Sequence, residues 1–387
     1  MKRTLFKIFL IFIISCRSSP ENSFYNLKEA FIDWYFRYNP VESTRFTNSD
    51  KHSNFKSFRL EDREEYSADL SRFLIELSQI DETKLDITNR IDYRILYSQI
   101  EKMIYIINHH REFDWNPYLV LNQIYYGLFL LSDVNTFDMD IRVESIKSRL
   151  KSIPKIIENS KENLIAYSEI HLEYSLEVIE QILKLLTYLP TKINSDNITL
   201  DKIDVSIAES VLALKNYQKW LNDDYKKLNK FDFPYSLELI DYGFKHFIGE
   251  KYSYSAVYEM AQNKLIPTQN RLFNLCLPIY LIQNDEPIWL DRSDTLEVIN
   301  STLEIINKKS ENLVSSSNLL SYYYKSIVNI EKYLYKSSII NRIESNSVQL
   351  VYSPKYSISL TQNYLSNHLS INSLNNPIYN IEIKNNN

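Results

Sequence analysis

Three glycines, Gly127, Gly243 and Gly249, are all that 387 residues contain, and this scarcity constrains the chain more than any other feature. An ordinary globular chain has about 7% Gly. Sites built on clustered glycines are therefore absent. There is no G-x-G-x-x-G dinucleotide loop, no phosphate loop of the G-x-x-x-x-G-K type and no G-x-S-x-G elbow. All-β folds, whose tight turns rely on Gly, are disfavoured as well. With only 11 Pro and a composition 44% hydrophobic and 24% charged, the chain reads as globular and mostly α. Its length suffices to bury a sizeable core.

The helices are visible as apolar stripes. Tyr66, Leu70, Phe73, Leu74 and Leu77 share one face of a helix, and Ile91, Ile95, Ile100, Met103, Ile104 and Ile107 make the next stripe. With the polar turn Asp81 to Asn89 between them, they read as an antiparallel helix pair. The run Glu61-Asp62-Arg63-Glu64-Glu65 reads as a solvated helix start, where carboxylates complement the dipole. Pro117 marks a break between helices, with Trp115 and Tyr118 anchoring it in the core. Further stripes run from Leu172 to Leu186, stopped by Pro190, and from Ile203 to Leu221. Ser236 to Phe247 and Ser255 to Leu265 read as helices separated at Gly249, and Asp294 to Lys308 and Asn318 to Tyr335 as the last two.

After about residue 346 the period changes. Val348, Leu350 and Tyr352, then Tyr379, Ile381 and Ile383, alternate with their neighbours as in strands. The expected fold class is a multi-helix body with a short β element near the C-terminus. Those strands have no evident partners in the sequence, and two strands alone are marginal in water, which suggests a continuation beyond the chain.

Little chemistry is local in sequence. The six histidines, His52, His109, His110, His171, His246 and His368, form no His-Glu-x-x-His and no i, i+4 pair. His109 and His110 suit a helix C-terminus, His171 a surface pair with Glu169 or Glu173, and His246 packing beside Phe244 and Phe247. Cys276, between leucines, reads as a buried inert thiol. Two cysteines build neither a disulfide framework nor a structural zinc site. The net charge of −5 argues against nucleic acid as a partner. The aromatic run Tyr322-Tyr323-Tyr324 reads as helix surface and core, with ligand binding as the other reading.

The N-terminus is more specific. Lys2, Arg3 and Lys7 precede an apolar stretch from Ile8 to Ile14, too short to span a bilayer and of the form of an export signal. Ile13-Ile14-Ser15-Cys16 resembles the lipobox of bacterial lipoproteins. The resemblance implies that residues 1–15 are a signal peptide removed before Cys16, that Cys16 carries palmitate-type acyl chains, and that the protein is lipid-anchored in the bacterial cell envelope. Each buried CH₂ adds ~0.8 kcal/mol, so two or three chains anchor stably. Residues 16–24 read as a polar tether and 25–387 as one helical domain.

A family resemblance rests on the order of short motifs: Asp33-Trp34-Tyr35, Asn39-Pro40, Ser43-Thr44, Asn89-Arg90-Ile91-Asp92-Tyr93 with Leu96, Asn116-Pro117, and Phe247-Ile248-Gly249-Glu250-Lys251-Tyr252. In this order they resemble the bacterial family called domain of unknown function 885, over roughly residues 25–385. The family resembles a helical zinc metallopeptidase whose zinc helix, His-Glu-x-x-x-Gly-His-His, follows the strand region. The two imidazoles on that helix would hold the metal, and the Glu between them would activate the zinc-bound water. No residue of that motif is present here. The expectation is a metallopeptidase-like lipoprotein, truncated relative to the family, with no peptidase activity, no catalytic residue, no metal ligand and no cofactor. The alternative is a surface lipoprotein that binds a peptide, glycan or host protein. In either case the membrane is a partner through the lipid anchor, and any protein or peptide ligand is unspecified.

Overall fold

The computed structural model describes residues 19–46, 53–133, 138–193, 201–231, 237–248, 252–283, 295–310 and 318–337, together with the backbone of five short strands after residue 348. Cys16, the signal segment, Gly249, His52, His368 and the His246 side chain lie outside the described residues. The body is mostly helical, as expected. It divides into two compact units, the first essentially residues 1–234 and the second essentially 235–354 with later segments.

In the first unit, α1 (Pro20–Tyr38) starts inside the polar tether segment. The Ser19 hydroxyl accepts from the Asn22 amide, and Pro20 occupies the first helical position, where its missing N–H is not needed. Phe24, Leu27, Phe31 and Trp34 recur at helical spacing and are buried. Asn39 ends α1, because the following Pro disfavours helical backbone at that residue, and Pro40 opens α2 (Pro40–Phe46). The α1 stripe packs on Tyr66, Leu70, Phe73 and Leu77 of α3 (Leu60–Ser78) and on Tyr93, Leu96 and Ile100 of α4 (Ile87–Tyr105). Trp34 fixes the register, stacked on Tyr66 at 4.8 Å and donating its indole N–H to Asp69 at 2.7 Å.

The stripe expected for α4 is corrected at its start. Ile91 and Ile95 are 56% and 55% exposed. The buried face is set by Tyr93, Leu96 and Ile100, at spacings of three and four, and larger neighbours on α1 select it.

The second core of this unit is formed by α5 (Tyr118–Asp133), α6 (Met139–Asn163), α7 (Glu169–Lys192) and α8 (Asp201–Asp223). α5 packs on α6 and α7, and α8 packs on α6 and α7. Full burial of an aliphatic side chain such as Leu121, Ile124 or Leu128 contributes roughly 1.5–3 kcal/mol. Pro190 does not stop α7, which runs on to Lys192. Only the final turn remains there, so little helical bonding is lost. A two-residue parallel pair joins β1 (Ala166–Tyr167) to β2 (Asn229–Lys230).

The second unit contains α9 (Leu237–Ile248), α10 (Tyr254–Gln283), α11 (Thr295–Ser310) and α12 (Leu319–Lys336). The helix expected to end at Leu265 continues through Pro267 and Pro278 to Gln283. Cys276 and Tyr280 of α10 are buried with Val298 and Ile299 of α11, and the Thr302 hydroxyl donates to the Cys276 carbonyl at 3.3 Å. The strand expectation holds, and the strands do have partners. β3 (Gln349–Tyr352) pairs in parallel with β7 (Ile378–Ile381), and β4 (Asn363–Ser366) pairs antiparallel on the other side of β7. The sequence hid the sheet because β4 lies in a Ser- and Asn-rich stretch with no alternation. Two further short strands, β5 (Leu369–Ser370) and β6 (Ser373–Leu374), pair with each other and belong to the first unit.

Candidate functional site

The first unit contains a cavity of about 350 Å³, within the range of small-molecule sites. Its wall comes from five places in sequence: Arg37 and Tyr38 at the end of α1, Asn54 to Ser57 in the segment before α3, Asp62, Arg63 and Tyr66 on α3, Ile107 and Phe113 in the break after α4, and Ser152 and Ile156 on α6.

The break is built by local backbone chemistry. α4 ends in a π-turn, Ile106–His110, and Arg111 turns the chain with φ 47° and ψ 44°. That left-handed conformation is uncommon in a residue with a Cβ, and π-turns recur at functional sites. The Trp115 indole N–H donates to the His110 carbonyl at 2.9 Å, and the Asn116 side chain accepts from the Tyr118 amide at 3.0 Å to start α5. The Asn116-Pro117 motif thus caps a helix, and the turn brings Ile107 and Phe113 to the cavity.

The Asn54 to Ser57 segment is held by Arg149, whose side chain is fully buried. Its guanidinium donates to the carbonyls of Asn54, Gly127 and Pro40 and to the Thr44 hydroxyl, and lies 5.5 Å from the Phe55 ring centre. No carboxylate pairs with it among the described residues, and burial pushes its pKa down to about 9. Asn39 contributes from the other side. Its amide donates to the Tyr35 carbonyl at 2.8 Å, and its oxygen accepts from Lys56 at 3.1 Å.

The charges on the wall differ in their compensation. Asp62 accepts from both arms of Arg59 at 2.8 Å and from Ser57. These hydrogen bonds, Arg59 first, hold its carboxyl below the usual carboxylate range. Arg63 faces Asp114 at 3.5 Å and Asn163 at 3.1 Å, and Arg111 reaches the same Asp114 at 2.6 Å. The charge run read as a solvated helix start therefore supplies two residues to a cavity. Lys56 is different. Its ammonium lies 4.4 Å from the Tyr66 ring centre and bonds the neutral Asn39. No carboxylate pairs with it among the described residues, and burial lowers its pKa from 10.5 to about 8. Arg37, exposed on the same wall, likewise has no ion-pair partner among the described residues.

The histidines do not assemble. His109 and His110 lie in the π-turn. His171 is not paired with Glu169 or Glu173. Its Nδ1 meets the Ser168 hydroxyl at 2.8 Å, its ring stands edge-on to Trp115, and burial lowers its pKa. Serine and imidazole in contact is half of a nucleophile relay, but the pair sits at the start of α7, away from the cavity residues. Cys276 is buried, as expected. Among the described residues no three His, Cys, Asp or Glu side chains are grouped to hold a metal ion. These residues do not fit the zinc that the resemblance implies. The lipid-attachment residue, Cys16, lies outside the described residues.

Sequence reading missed Lys56, the residue that most distinguishes the cavity. The only local signal was a lone cation between Phe55 and Phe58. The Asn39-Pro40 and Asn116-Pro117 motifs were visible, and both support the wall.

The profile of a family described as "Bacterial protein of unknown function (DUF885)" matches residues 40–335. Among solved structures, one from Shewanella oneidensis, described as "a putative lipoprotein of unknown function", shares the fold with a TM-score of 0.68 at 18% identity. The match covers 94% of this chain and 66% of that protein, so the chain spans a little under two thirds of its relative's length. No curated protein matches the chain.

Proposed function

The chain belongs to the DUF885 family of bacterial proteins of unknown function, and from that premise we propose that it is a lipid-anchored envelope protein whose first helical unit binds a small ligand without peptidase chemistry. The observation that carries the reading is the cavity of about 350 Å³ with a cation in its wall that no carboxylate among the described residues pairs. A lysine facing an aromatic ring, with no carboxylate paired to it among the described residues, supports a role in holding an anionic ligand. The anchor rests on the lipobox-like Ile13-Ile14-Ser15-Cys16, and the lipoprotein description of the structural relative is in keeping with it. No helix among the described residues is long and apolar enough to cross a membrane.

Two measurements on the full chain test this. Cys16→Ala should abolish labelled-palmitate incorporation and release the protein from the membrane fraction. The purified parent, dialysed against zinc, should leave peptide libraries uncut. Palmitate in the variant would refute the anchor, and chelator-sensitive cleavage would refute the non-peptidase reading. A second reading, surface binding of a peptide, glycan or host protein, is favoured by the exposed Tyr322, Tyr324, Tyr333 and Tyr335 of α12.

A further inference from the structure

We propose that the cavity of the first unit binds a small monocarboxylic acid with an apolar or aromatic body, its carboxylate on Lys56 and its body among Phe55, Tyr66, Ile107 and Phe113. The inference rests on the reading of this unit as a ligand-binding module and names the ligand class.

Charge is the first argument. A cation removed from water without a counter-ion is unfavourable. The other carboxylate and guanidinium groups of the cavity interior are already matched: Asp62 by Arg59, and Arg63 by Asp114. Among the described residues half-buried Lys56 has only an amide oxygen and a π-face, so the wall carries a positive charge that an anion would complete. Arg37, exposed on the same wall, adds to that field. Arg63 spends its terminal nitrogens on Asp114 and Asn163 and keeps a buried Nε–H that has no hydrogen-bond partner among the described residues; one free ammonium and one further N–H donor suit a single carboxylate and are too few for a dianion or polyphosphate. One carboxylate fits one lysine.

Shape and apolarity are the second argument. Four aromatic rings, Tyr38, Phe55, Tyr66 and Phe113, and two isoleucines line the cavity, which suits a hydrocarbon body. The wall is also fixed: Arg149 ties down the backbone at Asn54, and the Trp115 and Asn116 hydrogen bonds set the turn carrying Ile107 and Phe113. A pre-formed wall binds with less ordering cost.

Binding should be linked to protons. Lys56, lowered to about 8 in the empty cavity, is partly neutral at pH 8. A carboxylate favours its charged form, so binding takes up a proton there. The groups facing Lys56 from the packed elements are Arg37 and Tyr38 on α1, and Asp62, Arg63 and Tyr66 on α3. Tyr38 is pushed up to about 12 by burial, then by Glu65, Tyr66 is raised by burial, and Asp62 is lowered. None of these three shifts moves toward pH 8. Arg149, near 9, is held behind Phe55 by four acceptors and is not part of the wall.

The test is calorimetric titration of the full chain with 3-phenylpropionate, its neutral amide 3-phenylpropanamide, N-acetylphenylalanine and acetate. The expected result is binding of 3-phenylpropionate at least about tenfold tighter than the amide or acetate, with proton uptake at pH 8 seen as a buffer-dependent heat. Affinity should fall about tenfold per pH unit above pH 8. N-acetylphenylalanine distinguishes a free acid from the carboxylate end of a peptide: equal binding assigns the site to peptide ends, and weaker binding to free acids. Lys56→Met should remove the preference for acid over amide and the proton uptake. Equal affinity for acid and amide in the parent protein, or acid binding without proton uptake, would overturn the proposal whatever the variant does. Amide binding alone would leave the binding-module reading standing, whereas chelator-sensitive peptide cleavage would overturn that reading separately.

Discussion

The two units are both helical, yet they bury their apolar residues to very different extents. In the first, α5 to α8 enclose a continuous core, and α1, α3 and α4 share an aromatic one. In the second, the buried cluster among the described residues is Cys276, Tyr280, Val298 and Ile299. There Ile266 and Ile282 of α10 are 64% and 75% exposed, and Tyr333 of α12 is 66% exposed. The contrast teaches that helix formation and core formation are separate properties of a sequence. The 30 residues of α10 are helical through two prolines, but among the described residues only Cys276 and Tyr280 of that helix are buried apolar side chains. In the first unit the packing is dense enough to hold a fully buried guanidinium in place, and so to shape a cavity.

The largest expected effect tests that dependence on packing. Arg149→Met should destabilise the first unit by about 3–5 kcal/mol in urea unfolding, because it leaves buried carbonyls without donors. Arg149→Lys should not restore it, since an ammonium cannot reproduce the planar fork. A loss below about 1 kcal/mol would mean that the segment bearing Lys56 is held by something else. A smaller effect is expected at Gly127, where a Cβ would meet the Phe55 ring and come within 3.3 Å of Arg149 Nη1. Overpacking there costs about 1–3 kcal/mol and the gain in helix propensity returns up to ~1. Gly127→Ala should therefore lose about 1 kcal/mol and weaken ligand binding by displacing Phe55. The smallest effect belongs to the second unit: Ile282→Gln should change stability by less than about 0.5 kcal/mol. A loss of 2 kcal/mol or more there would show that the face of α10 is covered in the folded protein, and would erase the contrast.

Much of the helical skeleton was legible in the sequence, because an amphipathic stripe is a local property. The face of α3 was readable from Tyr66 to Leu77, and Ile203, Leu214 and Leu221 marked α8. The misreadings share a cause, which is tertiary selection. Ile91 and Ile95 look as apolar as Leu96, but α1 packs against Tyr93 and Leu96 instead. Pro190 reads as a stop, yet in the last turn a proline removes little. The partner of β3 and β4 is β7, some 15 to 30 residues further on, and nothing local announces it. The cavity was least legible of all. Its wall gathers residues from position 37 to position 156, and the property that matters at Lys56 is the lack of a counter-charge in three dimensions. Only the supporting motifs, Asn39-Pro40 and Asn116-Pro117, could be seen in advance, since capping and turn chemistry are local.

The central claim is that Lys56 has no counter-ion among the described residues of an aromatic-lined cavity, and its own titration tests this most directly. Its folded pKa of about 8 lies below the ordinary 10.5. The lysine therefore opposes folding below pH 8, and that penalty is relieved as pH rises from about 8 through 10.5. At roughly 1.36 kcal/mol per unit, the effect is of the order of 1–3 kcal/mol. Following the Lys56 side chain by NMR, assigned with Lys56→Met, should give a midpoint near 8 in the free protein. Saturating 3-phenylpropionate should move it upward by one unit or more. A midpoint in the ordinary lysine range, unmoved by the acid, would contradict the account.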